Sequence, residues 1–286
     1  MSDAWTRKVG VIGAGTMGAG IAQVASQAGL AVVLIDQMED VVARGLRTIA
    51  ANLDRQVTKT TLTEADKDEI LARIGHGTSY DRLDGCGVIV EAVNERFETK
   101  AEVFRAVAEV VGEEAIIASN TSSISITALA ALIPRPERVV GMHFFNPVPV
   151  LKLVEVVRGL QTSEETLNRV RTLAERMGKT PVDVADAPGF VANRVLMPMI
   201  NEAIFCAGEG VATYEAIDQV MKLGMAHPMG PLALADLIGL DVCLDIMQTL
   251  HRDLGEDKYR PAPLLRRLVA AGRLGRKSGQ GFYTYG

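Results

Sequence analysis

The sequence has few cysteines, and their spacing is typical of neither a metal site nor a disulfide framework. Its 286 residues include only three, Cys86, Cys206 and Cys243, which are far apart and form no C-x-x-C pair. We therefore expect a reducing compartment, no disulfide and no metal site. The N-terminus has no cationic segment followed by an apolar core, and no apolar run approaches the length of a membrane span. These absences predict a cytoplasmic protein with no membrane partner.

The sequence also lacks an excess of positive charge. Its 30 Lys and Arg residues are outnumbered by 35 Asp and Glu residues, which gives a net charge of −5. This balance argues against general nucleic-acid binding, although a local basic pocket for an anionic ligand is compatible with it. The hydrophobic content of 48% and charged content of 23% are those of an ordinary globular protein. The length allows one large domain or two modest ones.

A glycine-rich turn follows the first apolar run of the chain and reads Gly13-Ala14-Gly15-Thr16-Met17-Gly18. The first glycine permits a tight turn, the second lets backbone N–H groups approach a pyrophosphate, and the third lets a helix pack on a strand. Asp36 ends a second apolar run about 20 residues later, where a carboxylate accepts hydrogen bonds from an adenosine ribose and repels a 2′-phosphate. The pattern predicts an NAD site. The alternative is that Asp36 only caps the next helix.

Short apolar runs rich in β-branched residues alternate with helical patterns, at 9–12, 31–35, 88–91, 115–118 and 139–143. This alternation predicts a parallel sheet with helices on both faces. The segment 39–74 is too long for one crossover, so we expect a helical hairpin that projects from the sheet, its second helix starting at Thr63. Strands at 151–157 and 180–184 are expected as two antiparallel edge strands, because the connection after His143 is too short for a helix.

The pattern becomes helical after residue 185, at 190–208, 214–223, 232–254 and 263–271. We therefore expect an α/β fold: a Rossmann-type, mostly parallel sheet with two antiparallel edge strands, plus an all-α C-terminal domain. The expected domains are 1–185, with the hairpin inserted at 39–74, and 186–286. Several of the later helices are apolar on two faces and must bury both, which predicts a homodimer through this domain. A wide internal core is the alternative.

His143 is the candidate base among only four histidines. It ends a predicted strand, at the edge where ligands bind in open parallel sheets. If the chain reverses near Val148-Pro149, His143 and Glu155 meet across two antiparallel strands. A carboxylate beside an imidazole fixes its tautomer and stabilises the cation that forms on proton uptake. A purely structural pair, or an exposed Glu155, is the alternative.

Other polar side chains follow predicted strands or helix starts. The run Ser119-Asn120-Thr121-Ser122-Ser123 could bind a carbonyl or alkoxide oxygen, or cap the next helix. Asn193 lies one helical turn after Gly189 and could point from the second domain back into the cleft. Arg44, Arg47 and Arg55 lie near one face of the first hairpin helix, with Lys59 just beyond. We favour the interpretation that this basic face is a solvated surface. The more specific alternative is a binding site for a phosphorylated ligand.

The chain resembles the 3-hydroxyacyl-CoA dehydrogenase family over essentially its whole length. The resemblance rests on the glycine turn with Asp36 and on the runs SNTSS at 119–123, GMHFFNP at 141–147, KLVEV at 152–156, PGFVANR at 188–194 and GP at 230–231. With no hydratase region attached, the length is most similar to the bacterial monofunctional 3-hydroxybutyryl-CoA branch of the family.

The resemblance implies an NAD-dependent exchange between short-chain (S)-3-hydroxyacyl-CoA and 3-oxoacyl-CoA. It implies that His143 is the general acid and base, that Glu155 is its partner, and that Ser122 and Asn193 hold the substrate. Further cofactor contacts are implied at Glu91 and Arg96, near the nicotinamide half of NAD, and at two more cofactor-side positions, Asn146 and Lys277. The hairpin is similar to the family's CoA-binding element, so Arg55 and Lys59 become candidates for the CoA phosphates.

Two other functions remain open at this point. Other β-hydroxyacid dehydrogenases share the two-domain plan but have a catalytic lysine four residues before the matching Asn, where this chain has Gly189. A structural or NADH-sensing relative without catalysis would be free to lose the base or its partner, yet His143 and Glu155 are both present.

Overall fold

The structure, a computed structural model, describes residues 7–286, and the chain divides into two units between Asp186 and Ala187. The described part of the first unit contains, in chain order, β1 (Lys8–Ile12), α1 (Thr16–Gln27), β2 (Ala31–Ile35), α2 (Glu39–Thr58), α3 (Glu64–Ala72), β3 (Ile74–Gly77), β4 (Val88–Glu91), α4 (Phe97–Val110), β5 (Ile116–Ser119), α5 (Ile126–Ala130), β6 (Val139–Phe144), β7 (Leu153–Arg158), α6 (Glu164–Arg176) and β8 (Thr180–Ala185).

The eight strands form one sheet in the order β3-β2-β1-β4-β5-β6-β7-β8. The strands from β3 to β6 are parallel, whereas β7 is antiparallel to β6 and β8 is parallel to β7. The expected sheet, with two strands of opposite direction at one edge, is confirmed. The strand β3 was not expected, because its sequence Ile74-Gly75-His76-Gly77 has neither an apolar run nor an alternation.

The central strands are apolar along their length because helices cover both faces of the sheet. Val9 and Val11 of β1 and Val88 and Val90 of β4 are fully buried, in the core that α1 and the neighbouring helices share. The carboxyl ends of these strands therefore stand at the edge of a rigid, dry layer. Side chains placed there are held by the scaffold rather than by loops alone.

The helices α2 and α3 form the expected hairpin, and α3 begins with a capping box between Thr63 and Asp66. The hairpin does not project freely, because it packs along α1. The Nδ2 group of Asn52 on α2 donates to the Gln23 side chain of α1 at 3.1 Å, and the Ser26 hydroxyl of α1 donates to the Ile70 carbonyl of α3 at 2.6 Å. The first half of α2 also lies directly against the glycine-rich turn, since a Cβ on Gly45 would lie 2.6 Å from the Ala14 carbonyl oxygen.

The second unit is built from helices, as expected: α7 (Ala192–Gly208), α8 (Tyr214–Gly224), α9 (Pro231–Ile238), α10 (Leu240–Leu254) and α11 (Pro263–Ala270). The expected single helix at 232–254 is wrong. Gly239 has φ +107°, a conformation that L side chains rarely adopt, and it separates α9 from α10. Within residues 7–286, no helix combines the length and the apolar character that a membrane span needs.

Candidate active site

Several strands of the sheet end level with one another. The register places Ile12 opposite Glu91, Glu91 opposite Ser119, and Ser119 opposite Gly141. The glycine-rich turn leaves β1 at this level, the polar run 120–123 leaves β5, and β6 continues two residues further to His143. Ligands bind at the carboxyl ends of parallel strands. The glycine-rich turn, the polar run 120–123 and His143 therefore lie along one edge of the sheet.

The three glycines of the turn have three different surroundings. Gly13 has φ +96°, and a Cβ there would lie 2.5 Å from the Ala92 carbonyl oxygen. A Cβ on Gly18 would lie 1.7 Å from the Gly13 carbonyl oxygen, whereas a Cβ on Gly15 would meet no atom within 4 Å. The turn is thus tight at its start, closely packed at its end and open in the middle. Thr16 and Met17 form the first turn of α1, whose N–H groups and dipole favour an anion.

Asp36 lies at the end of β2 and faces the same turn. Its Oδ2 accepts a hydrogen bond from the Ala14 N–H at 2.8 Å. The alternative that Asp36 caps α2 is wrong, because the residue before that helix is Met38, which makes no side-chain cap. The carboxylate is instead fixed above the start of the phosphate-binding turn, where a ribose hydroxyl is expected.

A cavity of about 430 Å³ joins the turn, Asp36 and α2. Its walls offer apolar surface for an aromatic ring, a carboxylate for a ribose and an open helix N-terminus for a pyrophosphate. These groups fit the adenosine diphosphate half of NAD. The lining residues are Ile12, Gly13, Gly15, Ile35, Asp36, Gln37, Met38, Val41, Arg44, Thr78, Tyr80, Ala92, Val93, Asn94, Thr99 and Val103.

His143 and Glu155 lie directly opposite each other on β6 and β7. The His143 Nδ1 is 2.7 Å from the Glu155 Oε2, and the two residues are 7% and 2% exposed. The predicted pairing is confirmed, and the alternative of an exposed Glu155 is wrong. With Nδ1 hydrogen-bonded to a carboxylate, Nε2 is the ring nitrogen through which His143 would exchange a proton with a substrate.

Glu95, which no sequence motif indicated as a site residue, binds the polar run that follows β5. Its Oε1 accepts from the Thr121 hydroxyl at 2.5 Å, from the Ser122 N–H at 2.8 Å and from the Ser123 N–H at 3.2 Å. Partial burial raises the pKa of the Glu95 carboxyl, but the Lys100 charge and these hydrogen bonds outweigh burial and lower that pKa. Glu95 therefore holds the Ser122 backbone as an anion at neutral pH.

The run 120–123 is also tied to the strand that carries the histidine. The Asn120 side-chain oxygen accepts from the Phe144 N–H at 2.9 Å, next to His143. The alternative that Thr121, Ser122 or Ser123 caps the next helix is wrong, because Ser125 caps α5. The polar run is thus a separate loop whose conformation is set by Glu95 and Asn120.

Glu91 and Lys100 form a buried pair beneath this loop, and they are 0% and 1% exposed. The Glu91 Oε1 accepts from the Lys100 ammonium at 2.8 Å, and its Oε2 accepts from the Ser119 hydroxyl at 2.6 Å. Lys100 also lies 3.2 Å from Glu95. Lys100 is therefore the cation that contacts both Glu91 and Glu95. Arg96, in contrast, is exposed just before α4. The cofactor roles of Glu91 and Arg96 remain predictions.

The remaining candidates of the first unit are exposed. Asn146 lies in the turn between β6 and β7. Arg55 donates to the Asn52 side chain on its own helix at 2.7 Å, and Lys59 follows the end of α2. Arg44 lines the cofactor cavity instead. The basic face of α2 is therefore divided between the cofactor cavity at its start and the hairpin tip at its end, and the CoA roles of Arg55 and Lys59 remain predictions.

Two candidates belong to the second unit. Asn193 lies in the first turn of α7 and is 8% exposed, after Gly189 with φ +73°. The Lys277 ammonium lies 2.5 Å from the Asp241 carboxylate at the start of α10. A Cβ on Gly239 would lie 3.2 Å from that ammonium, so the glycine between α9 and α10 leaves room for the lysine. The substrate and cofactor roles of Asn193 and Lys277 remain predictions.

Comparisons with known proteins agree over both units. The family model of the 3-hydroxyacyl-CoA dehydrogenase NAD binding domain matches residues 8–187, and that of the family's C-terminal domain matches residues 189–285. A probable 3-hydroxybutyryl-CoA dehydrogenase of Deinococcus radiodurans is 56% identical over 97% of this chain and 100% of its own. The crystal structure of (S)-3-hydroxybutyryl-CoA dehydrogenase from Ralstonia eutropha is 53% identical, with a TM-score of 0.96 over 98% of this chain and 99% of its own. The chain belongs to the 3-hydroxyacyl-CoA dehydrogenase family.

Proposed function

We propose that the chain interconverts (S)-3-hydroxybutyryl-CoA and acetoacetyl-CoA with NAD. In the oxidation, the hydroxyl proton leaves as a base takes it, and the hydride on the same carbon goes to the oxidised nicotinamide. The products are the 3-oxo thioester, NADH and one proton, so charge and electrons balance. NAD supplies the hydride acceptor, and the chain supplies the base and the groups that hold the oxygen.

His143 is the proposed base, acting through Nε2. Proton uptake converts the imidazole into a cation in a buried place, which costs free energy unless a negative charge lies beside it. The Glu155 carboxylate at 2.7 Å provides that charge. In the reduction direction the same imidazolium returns the proton to the oxygen of the 3-oxo group. Ser122 and Asn193 are proposed to hold that oxygen and the thioester.

The single observation that carries the proposal is the buried His143–Glu155 pair at the carboxyl edge of the sheet that holds the dinucleotide turn. A base for the hydroxyl proton and a site for the hydride acceptor are the two parts that alcohol oxidation requires. Both belong to the first unit and lie at the carboxyl edge of one sheet, after β1 and on β6. The substrate identity rests on the names of the relatives, and the hairpin with Arg55 and Lys59 is the proposed element for the CoA phosphates.

The test of this substrate is a comparison of enantiomers and chain lengths. We expect NAD reduction with the (S)-3-hydroxybutyryl thioester of CoA and little with its (R) enantiomer. The rate should fall as the acyl chain lengthens, and free 3-hydroxybutyrate should be a poor substrate because it lacks the CoA part. Faster oxidation of the (R) enantiomer, or of the free acid, would contradict the proposed substrate while leaving the NAD site untouched.

We also propose that the helical unit forms the interface of a homodimer. The segment from 211 to 225 exposes four large apolar side chains, Val211 (70%), Val220 (62%), Leu223 (77%) and Met225 (61%). Val220 and Leu223 are three residues apart on α8 and share a face. An exposed apolar face of this kind is most simply covered by the same face of a second copy related by a two-fold axis.

Sedimentation velocity tests the dimer. We expect the unmodified chain to sediment as a dimer and Leu223→Lys to shift it toward the monomer, because a charge would be buried at the interface. Leu160→Lys is the matched control, since Leu160 is 85% exposed in the first unit. A dimer that persists unchanged in Leu223→Lys, or a monomeric parent chain, would overturn this interface.

The expected cytoplasmic location stays a proposal as well. The three cysteines are free thiols, two of them buried, and burial raises the pKa of Cys86 to about 11 and that of Cys243 to about 12. Such thiols are protonated and unreactive at neutral pH. This chemistry is that of structural cysteines, and the proposed location rests on the small number of cysteines and their wide spacing.

A further inference from the structure

The cofactor cavity contains one acidic and one basic side chain. Among the residues that line it, Asp36 carries the only formal negative charge and Arg44 the only formal positive charge. Asp36 is assigned to the adenosine ribose by the geometry of the turn, whereas nothing in the proposed reaction uses Arg44. A cation that lines the same cavity as the ribose-binding carboxylate is chemically suited to a phosphate on that ribose.

The position of Arg44 follows from the packing of α2. Val41 and Arg44 are three residues apart and both line the cavity, so one face of the helix is turned toward it. The next residue, Gly45, packs against the turn, since a Cβ there would lie 2.6 Å from the Ala14 carbonyl oxygen. Ala14 is also the residue whose N–H binds Asp36. Asp36 and the start of α2 are thus positioned by the same residue of the turn.

Arg44 is not committed to another anion in the hairpin. In the part of the chain from residue 7 onward, the ion pairs of α2 and α3 use Lys67 and Arg73 as their cations. Arg44 is exposed and faces open cavity, so its guanidinium can reach a ligand without breaking an internal pair. Asp36 opposes that use, because its carboxylate repels any phosphate that Arg44 would attract.

We propose that Arg44 is a cofactor-specificity residue: a latent site for the 2′-phosphate of NADP, which Asp36 keeps closed. The choice of NAD is then a balance between two opposite charges rather than the effect of a carboxylate alone. This inference rests on the proposed use of NAD and concerns only the ribose end of the cofactor. It predicts that removing the Asp36 charge leaves a pocket of net positive charge, not a neutral one.

The test removes the Asp36 charge while keeping its structural hydrogen bond. Asp36→Asn retains an oxygen for the Ala14 N–H. It is combined with Arg44→Met, or with Arg47→Met as the matched control, because Arg47 is an exposed arginine on the same helix that does not line the cavity. Calorimetry compares adenosine 2′,5′-bisphosphate with AMP, which differ only in the 2′-phosphate. The ratio of kcat/KM with NADPH to that with NADH is measured alongside.

We expect the Asp36→Asn variant to have a higher ratio of affinity for adenosine 2′,5′-bisphosphate to affinity for AMP than the parent chain has. Adding Arg44→Met should lower this affinity ratio by roughly 10- to 100-fold, the range of a charge-assisted hydrogen bond. Adding Arg47→Met should leave the ratio unchanged. Equal effects of the two arginine changes, or none from Arg44→Met, would overturn the proposal. In the parent chain, Arg44→Met should likewise weaken the binding of adenosine 2′,5′-bisphosphate more than that of AMP. The opposite order would contradict the proposal. Undetectable NADH activity in the parent chain would instead refute the proposed function.

Discussion

His143→Gln is expected to lower turnover by roughly 10²- to 10⁴-fold, the range of general acid–base catalysis. Glutamine has a similar reach and can donate or accept a hydrogen bond, but it cannot take a proton at neutral pH. NADH should still bind, because the glycine turn and Asp36 follow β1 and β2 and do not depend on the imidazole. The measurement pairs steady-state rates in both directions with the fluorescence change on NADH binding.

The matched control for this change is His251→Gln. His251 lies in the last turn of α10 in the second unit, 3.6 Å from Asp257 in an exposed pair, and its loss should change turnover little. If His143→Gln retained more than about a tenth of the parent turnover, less than the smallest effect expected of a general base, proton transfer would have to occur elsewhere. A loss of NADH binding together with turnover would instead indicate that the strand edge had collapsed.

Glu155→Gln is expected to lower turnover by a similar factor, roughly 10²- to 10⁴-fold. The amide keeps an oxygen near the His143 Nδ1 but removes the charge that stabilises the imidazolium. Because the two residues act as one unit, the double variant should be nearly as active as His143→Gln alone rather than slower by the product of both factors. Multiplicative losses would show that Glu155 acts independently of His143.

Asp183→Asn is the control for a lost carboxylate in the same part of the sheet. Asp183 is on β8, where it is bound by Arg171 of α6, and it pairs in register with Val156 rather than with Glu155. Neighbouring residues of a strand point to opposite faces, so this carboxylate lies on the face away from the histidine. Its removal should affect stability more than turnover. A larger effect of Asp183→Asn on turnover than on stability would mean that turnover responds to any charge lost from these strands.

The sequence could predict the parts of the site that lie at strand ends. The glycine turn, Asp36 and His143 each follow an apolar run directly, so the rule for parallel sheets places them at one edge before any contact is known. The pairing of His143 with Glu155 followed from their equal distance to the turn near Val148. In each case a local pattern and one packing rule were sufficient.

The sequence could not predict contacts that depend on distant segments. Glu95 meets Ser122 across 27 positions of the chain, and Lys100 is buried only because both Glu91 and Glu95 pair with it. The available signal was weak: an acidic residue at the end of β4, then a second one, then a lysine on the next helix. The strand β3 could not be predicted for a related reason. It is stabilised by its pairing with β2, and its own sequence has no strand pattern.

The break at Gly239 shows the limit of apolar periodicity. The apolar pattern continues from α9 into α10, so it predicts one helix, and only the positive φ of the glycine separates them. That break leaves the space in which Lys277 meets Asp241. A single glycine in an apolar helix pattern thus marked a helix break next to a candidate cofactor contact.

The most direct measurement follows NADH absorbance after the chain is mixed with acetoacetyl-CoA. We expect NADH to be consumed only when both compounds are present, with the (S)-3-hydroxybutyryl thioester as the product. His143→Gln should abolish nearly all of that rate, and His251→Gln should not. If the chain consumed no NADH with any 3-oxoacyl-CoA, or if His143→Gln consumed it as fast as the parent chain, the proposed reaction at His143 would be contradicted.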